Sequence, residues 1–312
     1  MRLMIDTDAG MDDAIALMMV LAHPGVTVEA ITTSMGNIDV DSVVQNVLST
    51  LAVMDVKHYI PVYRGAERPL ISLWRHETAD IHGRDGLGDL PNRPKPRQQV
   101  EPGHAVNAMI KLANSYPGEL TILALAPMTN LALATRIDPT FPSKIKHLVF
   151  MGGAIHGHGN TEVIPAEFNA YADPEALHIV LEAFPNAVMV SWETTIQHAV
   201  PWADFDRLGA LNRTPRAKFF HGITSFWSQR SRQIPGVPGF LMPDPLAAAV
   251  LLDPGIIRDI RPHYIAVELH GGLTRGQTVV DVLGMTRKEP NVQVLYEIDQ
   301  SAFYAWLERL LS

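Results

Sequence analysis

The sequence predicts an α/β protein with a mostly parallel, Rossmann-like central sheet flanked by helices. Three observations lead there. Short apolar runs alternate with longer helix-like segments, the pattern of consecutive βαβ units. Residues 11–22 are apolar nearly all round, so that helix is buried. Clusters of polar residues follow directly on the strands, at the carboxyl ends where open parallel sheets bind their ligands.

Residues 2–6 read as a short buried strand, and Gly10 permits the tight turn into helix 11–22. A strand at 26–33 and a helix at 42–54 come next, then a short strand at 60–63. A further series runs helix 106–115, strand 120–124, helix 128–135, strand 147–151, helix 174–183 and strand 187–190. Helices at 202–208, 216–230 and 245–252 lead into a more β-like region, with strands at 264–269 and 292–298 and a closing helix at 301–311. Crossovers are expected to be right-handed. Residues 71–102, rich in Pro, Gly, Arg and Asp, read as a long surface loop, and 233–243 as a second one. Loops that long are usually functional or disordered. No fixed-period repeat or low-complexity segment is visible, and residues 1–312 are expected to form one domain.

Hydrophobic residues at 47% and charged residues at 19% suit a globular enzyme with a sizeable core. A net charge of −8 with no block of Lys or Arg argues against nucleic acid or an anionic membrane as the partner. The absence of cysteine excludes disulfides, thiolate metal sites and cysteine nucleophiles, while 13 His and 33 acidic residues leave nitrogen- and oxygen-ligand sites open. No stretch approaches the roughly 20 apolar residues of a membrane span. No secretory signal is visible, so a cytoplasmic protein is expected.

The first strand runs into IDTDAGMDDA, where Asp6, Asp8, Asp12 and Asp13 crowd together. Asp12 and Asp13 fall in the first helical turn, where free N–H groups and the helix dipole favour acidic side chains. That does not account for Asp6 and Asp8 at a buried strand end. Carboxylates buried together rise in pKa or need a cation, and a hard divalent ion with oxygen ligands is the simplest remedy. Two chemistries use such a strand end. In haloacid-dehalogenase-type phosphohydrolases, an Asp nucleophile and a second Asp two residues on bind magnesium. Asp6 and Asp8 fit that spacing, although the motif there continues differently. Nucleoside hydrolases carry Asp-x-Asp-Pro-Gly-x-Asp-Asp-Ala, which DTDAGMDDA resembles at every named position except Ala9, where proline is usual.

The resemblance to the nucleoside hydrolase family (inosine–uridine-preferring nucleoside N-ribohydrolases) extends along most of the chain. Matching pieces are TTSMGN at 32–37, HGRDGLG at 82–88, LAPMTNLA at 125–132 and MGG at 151–153. Asn160, PAEFN at 165–169, DPEA at 173–176 and DPLA at 244–247 continue the series. Beyond about residue 255 no family signature is legible.

The resemblance implies the nucleoside hydrolase fold and calcium-dependent hydrolysis of ribonucleosides to ribose and free base. It implies one calcium ion held by Asp8, Asp13, Asp244 and the backbone carbonyl of Leu125, with Asp8 also the general base. Asp12, Asn37, Asn160, Glu167 and Asn169 are the implied ribose contacts, and Asp6 a partner that orients the others from behind. A homodimer or homotetramer and a role in purine or pyrimidine nucleoside salvage are implied as well. The residue types suit the reaction, which passes through an oxocarbenium-like ribosyl cation that surrounding carboxylates favour.

The sequence departs from the family at Pro243. Many relatives carry His immediately before the last metal-ligand Asp, where it is associated with protonating the base; Pro243 has no donor. Three explanations stand side by side. Another residue protonates the base: His82 first, or His221, Gln229 or Arg232. Aromatic stacking by Trp227 or Trp74 raises the basicity of a purine. Or catalysis is lost and the chain only binds a nucleoside or ribose. A magnesium-dependent aspartate phosphohydrolase is the alternative outside the family, but it leaves Asp244 and the AEFN segment unexplained. His156 and His158 read as loop polarity rather than a metal site. Thr129 and Asn130 are expected to cap the helix they open.

Overall fold

A computed structural model describes residues 1–56, 58–73 and 78–312 of the chain. The first half runs β1 (Arg2–Thr7), α1 (Met11–Ala22), β2 (Thr27–Thr33), α2 (Val40–Met54), β3 (Val62–Arg64), α3 (Ala79–His82), β4 (Glu101–His104), α4 (Ala105–Ser115), β5 (Leu120–Ala124), α5 (Thr129–Ile137), α6 (Phe141–Lys144) and β6 (Ile145–Met151). The second half begins α7 (Phe168–Ala172), α8 (Pro174–Ala183), β7 (Ala187–Val190), α9 (Trp192–Gln197), β8 (Val200–Pro201), α10 (Trp202–Ala210), α11 (Pro215–Ser231), β9 (Gly239–Phe240) and α12 (Pro243–Leu252). It ends with β10 (Ile257–His263), β11 (Ile265–Val267), β12 (Thr278–Val280), β13 (Val292–Ile298) and α13 (Gln300–Leu311).

Among the described residues, nine strands form one sheet in the order β10-β13-β7-β6-β5-β1-β2-β3-β4. Every neighbouring pair is parallel except β10 with β13. β1 lies near the middle, and its side chains alternate between two cores, as the pleat requires. Leu3 and Ile5 join the layer built by α1, α2, α11, α12 and α13, whereas Met4 joins the layer of α4, α5 and α8. β1 and β5 are neighbours, yet α1 and α5 leave them toward opposite faces. The winding reverses at the carboxyl ends of β1 and β5, the place where such sheets bind their ligands.

α1 is apolar on nearly every face because the sheet covers one side and α12 the other; Ala14 to Val20 are all buried. α12 is equally apolar, with every residue from Pro243 to Leu251 buried. That packing brings a helix from late in the chain against the first one. No helix among the described residues is long and apolar enough to cross a membrane.

The expected strands and helices are present, with ends moved by no more than two residues. The surface loop expected at 71–102 is corrected: it contains α3 and runs into β4, and His82 within it is buried. β10 reads in sequence as a polar stretch because it is an edge strand. Paired only with β13, it tolerates Arg258, Asp259, Arg261 and Pro262.

Candidate active site

The acid cluster starts where β1 ends. Asp6 is fully buried; its Oδ1 accepts from Thr32 Oγ1 at 2.7 Å and from Asn130 Nδ2 at 2.9 Å, and its Oδ2 has no partner. Burial lifts its pKa to about 7 against these two hydrogen bonds. Asp6 is thus tied into the sheet through Oδ1. Asn130 does not cap α5; it also donates to Thr33 O at 2.9 Å. Nor does Thr129, whose hydroxyl donates to Asp173 at 2.6 Å. Asn130 thus ties the ends of β1 and β2 together, and Thr129 ties the start of α5 to the start of α8.

Asp8 is buried beside the turn into α1. Its Oδ2 accepts the Asn37 N–H at 2.8 Å, while Oδ1 is buried without a partner. Asp13 lies in the first turn of α1, its Oδ1 accepting from the Thr7 hydroxyl and its Oδ2 from the Gly10 N–H at 2.9 Å. Asp244 sits in the first turn of α12, which Pro243 opens. Carboxylate oxygens of Asp12, Asp13 and Asp244 lie within 4.8 Å of one another. Asp8 stands beside this trio rather than in it.

Burial, and then the charge of Asp13, pushes the Asp8 pKa well above the carboxylate range. Asp244 is raised in the same direction by burial and by Asp13, Asp12 and Asp8. Asp13 rises to about 7 through burial and the charge of Asp12, opposed by the hydroxyl of Thr7 and the N–H of Gly10. Asp13 and Asp244 stand close enough for their negative charges to oppose each other in this buried place. A divalent cation removes that conflict. The unpartnered oxygens of Asp8 and Asp12 offer it hard ligands, so the donor set fits such an ion.

Amides ring the cluster. Asn37 donates its backbone N–H to Asp8 and lies 3.4 Å from Asp13 through Nδ2. Asn169 donates from Nδ2 to Leu125 O at 2.8 Å and to Met151 O at 3.2 Å, bridging the ends of β5 and β6. The Leu125 carbonyl thus already has one partner and keeps a second lone pair. Glu167 is buried, with its carboxylate accepting from the N–H groups of Gly153, Asn169 and Ala170 at 2.8, 2.9 and 3.1 Å. Burial still raises its pKa. Asn160 is exposed and holds the Phe168 N–H at 2.8 Å through Oδ1.

A cavity of about 520 Å³ opens outside this ring, lined by Ser72, Asn160, Thr161, Phe168, Tyr171 and Arg275 among others. Three of its supports had no mark in the sequence. Arg275 reaches back from the β11–β12 connection to pair with Glu175 at 2.8 Å. Thr278 accepts from Ala154 N at 2.8 Å and donates to Ala154 O, fixing the loop after β6. Glu193 holds the N–H groups of His156 and His158 at 2.8 and 3.0 Å, while both imidazoles face solvent.

The candidates for base protonation separate. His82 is buried next to the cluster, 3.7 Å from Asp12, with Nδ1 accepting the Met11 N–H at 3.2 Å. Burial lowers its pKa against the pull of Asp12, and with Nδ1 accepting from Met11 the ring's donor is Nε2. Arg232 is drawn away to Asp206 and the face of Trp202. His221 is exposed and turned toward Gly209 of α10, and Gln229 is exposed. Trp227 packs half-buried against the core layer of α1. Trp74 lies outside the described residues.

Fold and site together define a class: an α/β enzyme with a buried, cation-seeking carboxylate site at the switch point of a parallel sheet. The family described as inosine-uridine preferring nucleoside hydrolase matches residues 3–305. The pyrimidine-specific ribonucleoside hydrolase RihA of Salmonella schwarzengrund is 36% identical over 310 residues, covering 99% of this chain and 97% of that protein. A solved inosine-guanosine nucleoside hydrolase superposes with a TM-score of 0.90 at 31% identity, covering 99% of this chain and 98% of that one. A purine-preferring ribonucleoside hydrolase from Gardnerella vaginalis gives 0.88 at 28% identity, covering 100% and 99%. The chain belongs to the nucleoside hydrolase family and is an enzyme that hydrolyses N-glycosyl bonds of nucleosides. The three relatives differ in the base they are named for.

Proposed function

We propose that this enzyme cleaves ribonucleosides to ribose and free base with the help of one calcium ion. The carrying observation is the close trio of Asp12, Asp13 and Asp244 with buried Asp8 beside it, a set of mutually repelling carboxylates. Asp8, Asp13, Asp244 and the Leu125 carbonyl would hold the ion, which when bound supplies charge to fix the ribose hydroxyls and to acidify water.

The chain's own groups do the rest. Asp8 Oδ1, free of other partners, takes the proton of the attacking water as general base. Asp12, Asn37, Asn160, Glu167 and Asn169 position the ribose. The negative field of the cluster favours positive charge on the sugar as the bond to the base breaks. His82 offers a hydrogen bond from Nε2–H to the departing base, whose proton then comes from water, and Trp227 packs along it. The site is assembled within one domain, and the protein works as a cytoplasmic homo-oligomer in nucleoside salvage.

A reducing-sugar assay over a nucleoside panel, with and without chelator, tests this reading. Ribose release that stops on chelation and returns with calcium supports it. Release indifferent to chelation and to Asp8→Asn overturns it. Tight nucleoside binding without release also counts against it.

A further inference from the structure

The turn that carries Asp8 is held from behind by a side chain that no motif marks. We propose that Asn46 is a positioning residue for the acid cluster, coupling the Asp8–Asp13 turn to the loop that carries His82. The inference rests on the function proposed above and adds a residue to its machinery.

Asn46 is fully buried in the middle of α2. Its Nδ2 donates to Ala9 O at 2.8 Å and to Asp85 O at 3.0 Å, so both amide hydrogens are used. Its Oδ1 accepts from the Arg93 guanidinium, which also donates to Asp85 O at 3.2 Å. Two donors and one acceptor in one rigid plane are what an amide offers and what neither a carboxylate nor a hydroxyl can.

Ala9, between Asp8 and Gly10, has φ +26°, a conformation that residues with a Cβ seldom adopt. Such strain persists only where the surroundings hold it. Here both sides of Ala9 are held: its N–H donates to Thr7 Oγ1 at 3.1 Å, and its carbonyl is taken by Asn46. Thr7 in turn donates to Asp13. An unbroken line of hydrogen bonds therefore runs from Arg93 through Asn46, Ala9 and Thr7 to Asp13. On its other side Asn46 fixes Asp85, and three residues on Gly88 donates to His82 O at 2.7 Å. Gly86 packs against the same amide, where a Cβ would stand 2.7 Å from Asn46 Nδ2.

Asn46→Asp tests this, because it keeps the shape and turns both donors into acceptors facing carbonyls. Calcium chloride, titrated calorimetrically into chelator-stripped protein, is expected to bind roughly 10–100-fold more weakly than to wild type. kcat falls by a similar factor, while KM for the nucleoside moves little. Asn291→Asp is the comparator. That amide bridges Leu181 O and Ile265 O at 3.3 and 3.0 Å at the opposite end of the sheet. It is expected to lower the melting temperature without changing calcium affinity or kcat. Wild-type values in Asn46→Asp overturn the proposal, as does an equal loss in Asn291→Asp. Should Asn46→Asp not fold, Arg93→Met, which removes the donor to Asn46 Oδ1 and to Asp85 O but keeps both Asn46 donors, is expected to shift both readouts in the same direction by less; no shift overturns the proposal. If wild type itself takes up no calcium, the calcium reading fails, and the kcat of Asn46→Asp still reports on Asn46.

Discussion

Which oxygen receives a proton decides the reaction at the residue scale. Asp8→Asn keeps an oxygen for a cation but removes the base. It is expected to lower kcat by about 10²–10⁴-fold with nucleoside binding retained, measured by ribose release and by equilibrium binding. Pro243 opens α12 next to Asp244 and carries no donor. Pro243→His places an imidazole beside the cluster and is expected to widen the range of bases released from inosine, uridine, cytidine and adenosine. An unchanged range would place help to the leaving base elsewhere, His82 first. The acidic residues were legible in the sequence because few structural roles call for so many carboxylates at one buried strand end. Asn46, Thr278 and Glu193 were not. Each acts on backbone atoms far off in the chain, and nothing in an isolated Asn, Thr or Glu announces such a partner.

Among the elements, those with a clean period were legible. α1, β5, α8, β7 and β13 begin and end where their apolar pattern does. α3 and α9 escaped because four to six residues carry too little periodicity, and β10 because an exposed edge reads as polar. The turn between β1 and α1 makes a sharper point. Proline, the family's usual residue at position 9, has φ near −65° and no N–H. In this chain position 9 has φ +26° and its N–H is bonded to Thr7. Ala9→Pro is therefore expected to destabilise the fold by about 1–3 kcal/mol, read as a lower urea midpoint. An unchanged midpoint would mean that the turn relaxes freely.

For the whole molecule, the cluster links stability to pH. In the cation-free protein burial holds Asp6 and Asp13 at about 7, above the ordinary 3.8. Between those values the folded state binds more protons than the unfolded chain, so these groups cost stability as pH rises, in full above about 7. A cation that pairs with the carboxylates offsets this cost. The gain in melting temperature on adding calcium is thus expected to grow from pH 5 to pH 8, and a gain independent of pH would contradict the linkage. The direction of the sheet and the strand ends that carry the site were legible; the order of its strands was not, because pairing between distant segments leaves no local trace. β13, the last strand in the chain, is not an edge: it fits between β7 and β10. During synthesis the flank of β7 stays bare until residues 292–298 have left the ribosome. An interrupted chain presents that flank to its neighbours, so premature termination yields sticky, aggregating fragments rather than a slower enzyme.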